Sequence, residues 1–416
     1  ALHFGTPEQR WLDRLSVAQA REYMRAGHFA PGSMLPKIEA AVEFAESRPG
    51  REALITCLTK AHDGIQGRTG TRIGAPPRRP PTGTEPVSRF VNVAIGQLGP
   101  ISRSETRTQV VQRLSELMRE ARHMGCDLIV YPELALTTFF PRWFMEDPAE
   151  VDQFFEREMP GPETQPLFDL SCTLGIGFYI GYAELAVEDG VTHHYNTSIL
   201  VDKRGAIIGK YRKVHLPGHW DHEPWREFQH LEKRYFEAGN DFPVFEAFGG
   251  VFGMAICNDR RWTETYREMG VQGVEMILIG YNTPVHNPPA PEHDDLSLFH
   301  NQLVMQAGAY QNGTWVVGVA KGGIEEGVDQ IGGSIIVAPS GEIVAACTTK
   351  GDELALARCD LDLCNSFKET TFNFDAHRQP GAYRRIIERK GPRLMADGTP
   401  VKPDADASTD PTGGQP

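Results

Sequence analysis

The chain has 416 residues, 40% of them apolar, with a formal net charge of -13 and a pI near 5.6. An acidic surface of this kind repels nucleic acid and anionic membrane, and it suits a small polar substrate instead. No run approaches 18 apolar residues and no basic-then-apolar segment opens the chain, so neither a membrane span nor export is expected, and the cytoplasm is the expected location.

Residues 1 to 73 read as helix, helix, strand. Ser16 caps a periodic run to Ala26, Pro36 opens a second run from Lys37 to Glu46, and 52 to 58 is strand-like. Residues 74 to 88 then hold four prolines within six positions, which no helix or sheet interior accepts. They are expected to form a semi-rigid linker, with a proline-rich recognition site flanked by Arg78 and Arg79 as the rival reading.

From Phe90 the pattern alternates. A strand at 91 to 98, a helix at 106 to 124 with apolar positions 110, 111, 114, 117, 118 and 121 on one face, and a strand at 127 to 130 make a right-handed crossover unit. Pro160-Gly161-Pro162 punctuates before a helix at 167 to 173 and strands at 177 to 182, 196 to 201 and 206 to 211, the last two joined by Asp202-Lys203-Arg204-Gly205. Beyond a loop at 217 to 230 come strands at 244 to 248, 251 to 256 and 275 to 280, a helix at 296 to 310, and strands at 315 to 320 and 334 to 337. The expected class is α/β: a four-layer αββα sandwich over 89 to 390, preceded by a small N-terminal α/β fragment. Residues 391 to 416 have few large apolar side chains and many Pro, Gly and Asp, and are expected to be disordered.

The apolar run from Val251 to Ile256 stops at Cys257, and Asn258, Asp259, Arg260 and Arg261 follow at once, as when a buried strand delivers a nucleophile to a pocket mouth. A thiol needs a base and a cation to work. Glu133 follows the run 127 to 130 and is the candidate base; Lys213 leaves the run 206 to 209 among alternating apolar residues and is the candidate oxyanion donor. Taken singly, each piece has a bland reading: a core cysteine, a Pro-Glu turn, a solvated lysine edge. An ordered Glu, Lys, Cys set, each at a strand end, reads as a catalytic triad. Arg260 and Arg261 suit a substrate carboxylate, with pairing of at least one of them to Asp259 or Glu264 also expected. His215, His219, His222 and His230 invite a zinc reading, but Pro224 after His222-Glu223 excludes the helical His-Glu-x-x-His arrangement, and neither metal nor organic cofactor is expected. The seven cysteines lack Cys-x-x-Cys spacing and are expected to be free thiols.

Glu133, Lys213 and Cys257 in these contexts resemble the triad of the nitrilase (carbon-nitrogen hydrolase) superfamily. The strings YRKVHLPGH, FQHLEKRYFE, CNDRRWTE, GYNTPVHNPP, MQAGAYQNG, VAPSGEIVA and FNFDAHRQPGAY are similar to those of its N-carbamoyl-D-amino acid hydrolases. The resemblance implies the αββα sandwich, a small-molecule N-carbamoyl amino acid as substrate, D selectivity, and homodimers or homotetramers. It also implies that Glu232 orients Lys213 and the substrate amide, that His215 and His230 support substrate or catalytic groups, and that Asn258, through its backbone amide, and Asn282 and Thr283 hold the substrate. A β-ureidopropionase or aliphatic amidase would share the triad; a non-catalytic binding module would not keep it. Ahead of the linker, GHFAPGSMLPKIEAA resembles the carboxyl-terminal end of carbamate kinases, where the match of Lys37 contacts nucleotide phosphates and those of Ser33 and Met34 lie beside it. The Gly-rich start and carbamate site of such kinases have no counterpart here, so residues 1 to 73 are expected to be a loosely packed remnant without kinase activity.

Overall fold

The computed structural model describes residues 2, 9–47, 51–57, 60, 69–74 and 89–391, in two compact units, 1–87 and 88–416. Apart from their first residues, the linker expected at 74 to 88 and the tail expected at 391 to 416 lie outside the described residues.

In the first unit Ser16 and Gln19 close a reciprocal capping box, Gln19 N donating to Ser16 Oγ at 3.1 Å, and the helix Val17–Arg25 starts there as its sequence predicts. The helix Leu35–Glu46 carries Pro36 in its first turn. Strands β1 (Arg14–Leu15), β2 (Glu52–Ile55) and β3 (Thr71–Gly74) pair in the order β1-β3-β2. The stripe Ile38, Ala41 and Val42 meets Leu15, Ala20, Phe29 and Ile73 in a core of the unit's own. The described residues thus pack more closely than the expectation of a loose remnant, because the second helix brings its 3.6-residue stripe onto the sheet.

The second unit holds two six-stranded sheets. Strands β4 (Phe90–Gln97), β5 (Leu128–Val130), β6 (Gly177–Glu188), β7 (Val191–Val201) and β8 (Ile207–Arg212) belong to one; β9 (Val244–Ala247), β10 (Gly250–Ile256), β11 (Met276–Tyr281) and β12 (Trp315–Ala320) belong to the other. The hairpin β13 (Gly322–Glu325) and β14 (Val328–Ile331) stands apart, and β15 (Ile335–Val337), β16 (Ile343–Ala346) and β17 (Glu353–Asp360) complete the set. The orders are β17-β4-β5-β6-β7-β8 and β16-β15-β12-β11-β10-β9, each with three central parallel strands.

Both faces of the first sheet are covered, which accounts for its near-continuous apolar strands. Val91, Val93, Val130 and Tyr179 share one core with Met254, Ile256 and Leu278 of the second sheet. On the other side Ala94, Ile129 and Ile180 meet the helix Arg107–His123, whose buried Val110, Val111, Leu114, Leu117, Met118 and Ala121 are the six positions its periodicity predicts. The helix Gln165–Leu174 packs beside it, and the helices Thr263–Val271 and Ser297–Asn312 flank the second sheet. The helix Thr263–Val271, the hairpin β13–β14 and the edge strands β16 and β17 carry weak signals: β17 alternates half-exposed residues because it is a sheet edge. β7 begins five residues before the expected 196, since Asp189 and Gly190, both at positive φ, form the tight turn that continues the β6–β7 pairing to Glu188 and Val191.

Candidate active site

The two parallel cores end on the same feature. β5 runs into Tyr131-Pro132-Glu133, β10 into Cys257 and β11 into Asn282, so the carboxyl ends of strands from both sheets converge, as at other α/β crevices. Two glycines permit the approach. A Cβ on Gly181 of β6 would stand 2.7 Å from Glu133 Cα, and one on Gly280 of β11 would stand 2.5 Å from Glu133 N. Leu134 and Cys257 sit at φ +46° and +48°, a left-handed conformation that costs an L residue about 1–2 kcal/mol and is held by its surroundings.

Glu133, Lys213 and Glu232 are fully buried, and Cys257 is 5% exposed. Lys213 Nζ donates to Glu133 Oε1 at 2.8 Å and to Glu232 Oε2 at 2.5 Å. Burial alone would push the lysine down, but the Glu133 and Glu232 charges outweigh it, and its pKa is raised. Glu232 is held below the usual carboxylate range: burial opposes this, and Lys213 with His230 prevails. Removing either carboxylate would leave a buried cation short of a partner, at a cost of about 3–5 kcal/mol. The Cys257 thiol is pushed up to about 11, by burial first and the Glu133 charge second, against the pull of Lys213 and Arg260. Its Sγ donates to Asn282 O at 3.2 Å.

The other expected residues gather here, mostly one step behind the triad. Asn282 N donates to Glu133 Oε2 at 2.9 Å and Asn282 Nδ2 to Glu133 O at 2.9 Å, while its Oδ1 is buried without a partner. His230 Nε2 lies 3.1 Å from Glu232 Oε1. His215 meets Asp259 Oδ1 through Nδ1 at 2.8 Å and stacks on Trp262, and Asn258 Nδ2 donates to His215 O at 3.1 Å. His219 contacts Gln229 and His222 stacks on Phe144, so the four loop histidines do not converge.

The two arginines part company, and the expected pairing with an acid does not form. Arg260 is fully buried; its Nε donates to Asn301 Oδ1 at 2.9 Å and its terminal nitrogens to Cys257 O and Thr283 Oγ1, each at 2.7 Å, all uncharged acceptors. Asp259 is taken up elsewhere: Tyr211 OH donates to it at 2.6 Å, and the backbone N–H groups of His215 and Ile256 at 2.9 and 3.0 Å. Glu264 accepts from Thr263. Arg261 is exposed and has no hydrogen-bond or ion-pair partner among the described residues. The neighbouring Arg260 charge lowers it to about 10. It borders a cleft of about 640 Å3 with Arg260, Trp262, Leu303, Phe374 and Tyr383, which the buried triad itself does not line.

Sequence reasoning passed over Asn196, whose Nδ2 donates to Glu133 Oε1 at 2.8 Å, and the hub role of Asp259. The run Asn196-Thr197-Ser198, three fully buried polar residues leading straight into the apolar Ile199-Leu200-Val201, was the available signal for the first.

The family model described as Carbon-nitrogen hydrolase matches residues 92–369. An N-carbamoylputrescine amidase of Arabidopsis thaliana is 30% identical over 293 residues, 68% of this chain and 91% of that protein. A nitrilase of Pyrococcus abyssi is 29% identical over 262 residues, 63% of this chain and 87% of that protein. The crystal structure of a carbon-nitrogen hydrolase from Helicobacter pylori G27 superposes with a TM-score of 0.62 at 19% identity, covering 73% of this chain and 99% of that one. Separately, the carbamate kinase-like protein YqeA of Escherichia coli K12 is 60% identical over 73 residues, 18% of this chain, which spans about a quarter (24%) of that protein's length.

Proposed function

The chain belongs to the carbon-nitrogen hydrolase family, and from that premise we propose that it hydrolyses N-carbamoyl-D-amino acids to the D-amino acid, ammonia and carbon dioxide. The observation that carries the reading is the buried Lys213 held between Glu133 and Glu232 beside Cys257. An ammonium has three N–H groups; two are spent on the carboxylates and the third is free for a developing oxyanion.

In this mechanism Glu133 accepts the Cys257 proton as Sγ attacks the ureido carbon. Lys213 and the backbone amide of Asn258, in the first turn of the 3-10 helix Cys257–Arg261, hold the oxyanion. Collapse expels ammonia, which takes up the proton from Glu133, and leaves a thioester-like adduct on Cys257. Glu133 then activates water to hydrolyse the adduct, and the released carbamate loses carbon dioxide to give the amino acid. Glu232 and His230 keep Lys213 charged and aimed; Asn282, Arg260 and Thr283 hold Glu133 and the nucleophile's turn. The chemistry calls on no cofactor.

Arg261 supports a substrate carboxylate, because it is the guanidinium beside the nucleophile left without a partner. An N-carbamoyl amine, as in the name of the Arabidopsis relative, would set a cation against it; a simple amide or nitrile would leave it unused. Arg261→Ala is therefore expected to raise KM by about tenfold or more for carboxylate-bearing substrates and to leave KM unchanged for their amides. Equal loss on both, in steady-state ammonia release, would make the arginine structural. D selectivity rests on the family resemblance, as does assembly into homodimers or homotetramers; a cytoplasmic location is proposed on the acidic composition and the lack of an 18-residue apolar run. The N-terminal unit contributes none of these residues, so deleting 1–86 is expected to leave turnover within about twofold; a collapse of turnover in a folded deletion protein would give that unit a role in the reaction.

A further inference from the structure

Asn196 stands where Glu133 and Lys213 meet. It lies in β7 opposite Ala183 of β6 and is fully buried, two residues from Ser198, whose hydroxyl faces Met254 of the second sheet. Its Nδ2 donates to Glu133 Oε1 at 2.8 Å, the oxygen that also takes Lys213 Nζ at 2.8 Å. Its backbone carbonyl accepts Lys213 N at 2.8 Å, so one residue fixes both members of the pair. The reverse amide rotamer would set Oδ1 against a carboxylate oxygen, which decides the orientation on chemistry. Oδ1 is consequently left buried without a partner, a loss tolerated in exchange for the contact to Glu133.

The charged and titratable groups facing Glu133 come from several elements: Lys213 after β8, Glu232 at the start of the helix Glu232–Tyr235, Cys257 after β10, Tyr179 in β6 and Lys321 after β12. Among the described residues, Asn196 is the neutral side chain that donates to the carboxylate itself; the third donor is the Asn282 backbone. We propose that Asn196 is a positioning residue for the base, aiming the Glu133 carboxylate by its hydrogen bond to Oε1 and fixing Lys213 through its backbone carbonyl. The inference rests on the reading of Glu133 as the general base. A carboxylate accepting three donors favours its charged form, and loss of one makes protonation easier.

The test is the pH dependence of kcat/KM for ammonia release from an N-carbamoyl-D-amino acid, measured on the full chain and on its Asn196→Asp, Asn196→Ala and Glu133→Gln variants. The acid limb reports the free enzyme's base. In Asn196→Asp a second carboxylate faces Glu133, so the limb is expected to move up by about one pH unit or more, with kcat down about tenfold and KM little changed. Asn196→Ala moves it in the same direction by less and serves if Asn196→Asp does not fold. An acid limb that stays put in a folded variant, with only the melting temperature or KM affected, overturns the assignment. Glu133→Gln that retains turnover removes the base and the inference together, whereas an inactive Glu133→Gln beside an unmoved limb sinks the role of Asn196 alone.

Discussion

Cys257→Ala is expected to abolish turnover, with kcat down by at least about 10⁴-fold, while the protein stays folded. The side chain is small and its Sγ donates to Asn282 O at 3.2 Å and accepts from Arg260 Nη1 at 3.8 Å, so truncation removes little of the packing. The other buried cysteines sit on other elements: Cys126 ahead of β5, Cys359 in β17 and Cys364 in the helix Leu363–Lys368. Because the thiol stands near 11, the nucleophile is protonated at neutral pH and must pass its proton on during attack. Below that value the rate is thus expected to follow the ionised base rather than a preformed thiolate. Ammonia release above 1% of the parent rate from folded Cys257→Ala would rule the cysteine out as nucleophile.

Lys213→Met should lower kcat by 10²-fold to 10³-fold or more, on the order seen for loss of one oxyanion donor. It should also destabilise the fold by about 3–5 kcal/mol, since Glu133 and Glu232, both fully buried, would face each other without the cation between them. Two such carboxylates share a proton, so the base is lost along with the donor. Steady-state kinetics paired with a melting curve separates the two effects. Turnover within threefold of the parent would show that Lys213 has only a structural part.

Much of this arrangement is legible in the sequence, because strand ends and polar punctuation coincide. Glu133, Lys213 and Cys257 each close an apolar run, and β5 and β10, which lead into the first and last of them, are each a parallel strand within their own sheet. The stripe on the helix Arg107–His123 is legible for the same reason: a 3.6-residue period survives when one face is buried and the other is not. What escapes is long-range pairing. Arg260 and Arg261 are indistinguishable as neighbours in a string, yet one is anchored by Asn301 on a helix 41 positions away and the other is left exposed. Arg142, Glu325 and Lys321 carry no mark of burial in the string, and the fold buries them as a network: Arg142 meets Glu325 at 2.6 Å and Lys321 meets it at 3.0 Å, joining the segment after Glu133 to β13. Charge, unlike hydrophobic period, has no local signature of burial, since it depends on a partner far along the chain.

The central claim is tested most directly by ammonia release across matched substrates: N-carbamoyl-D-amino acids, their L enantiomers, a simple amide and a nitrile, each run with the parent chain and Cys257→Ala. The account predicts ammonia and free D-amino acid in equal amounts from the D carbamoyl substrates with the parent chain, little from the other three, and none above background with Cys257→Ala. A higher kcat/KM on the amide, the nitrile or the L enantiomer would contradict it.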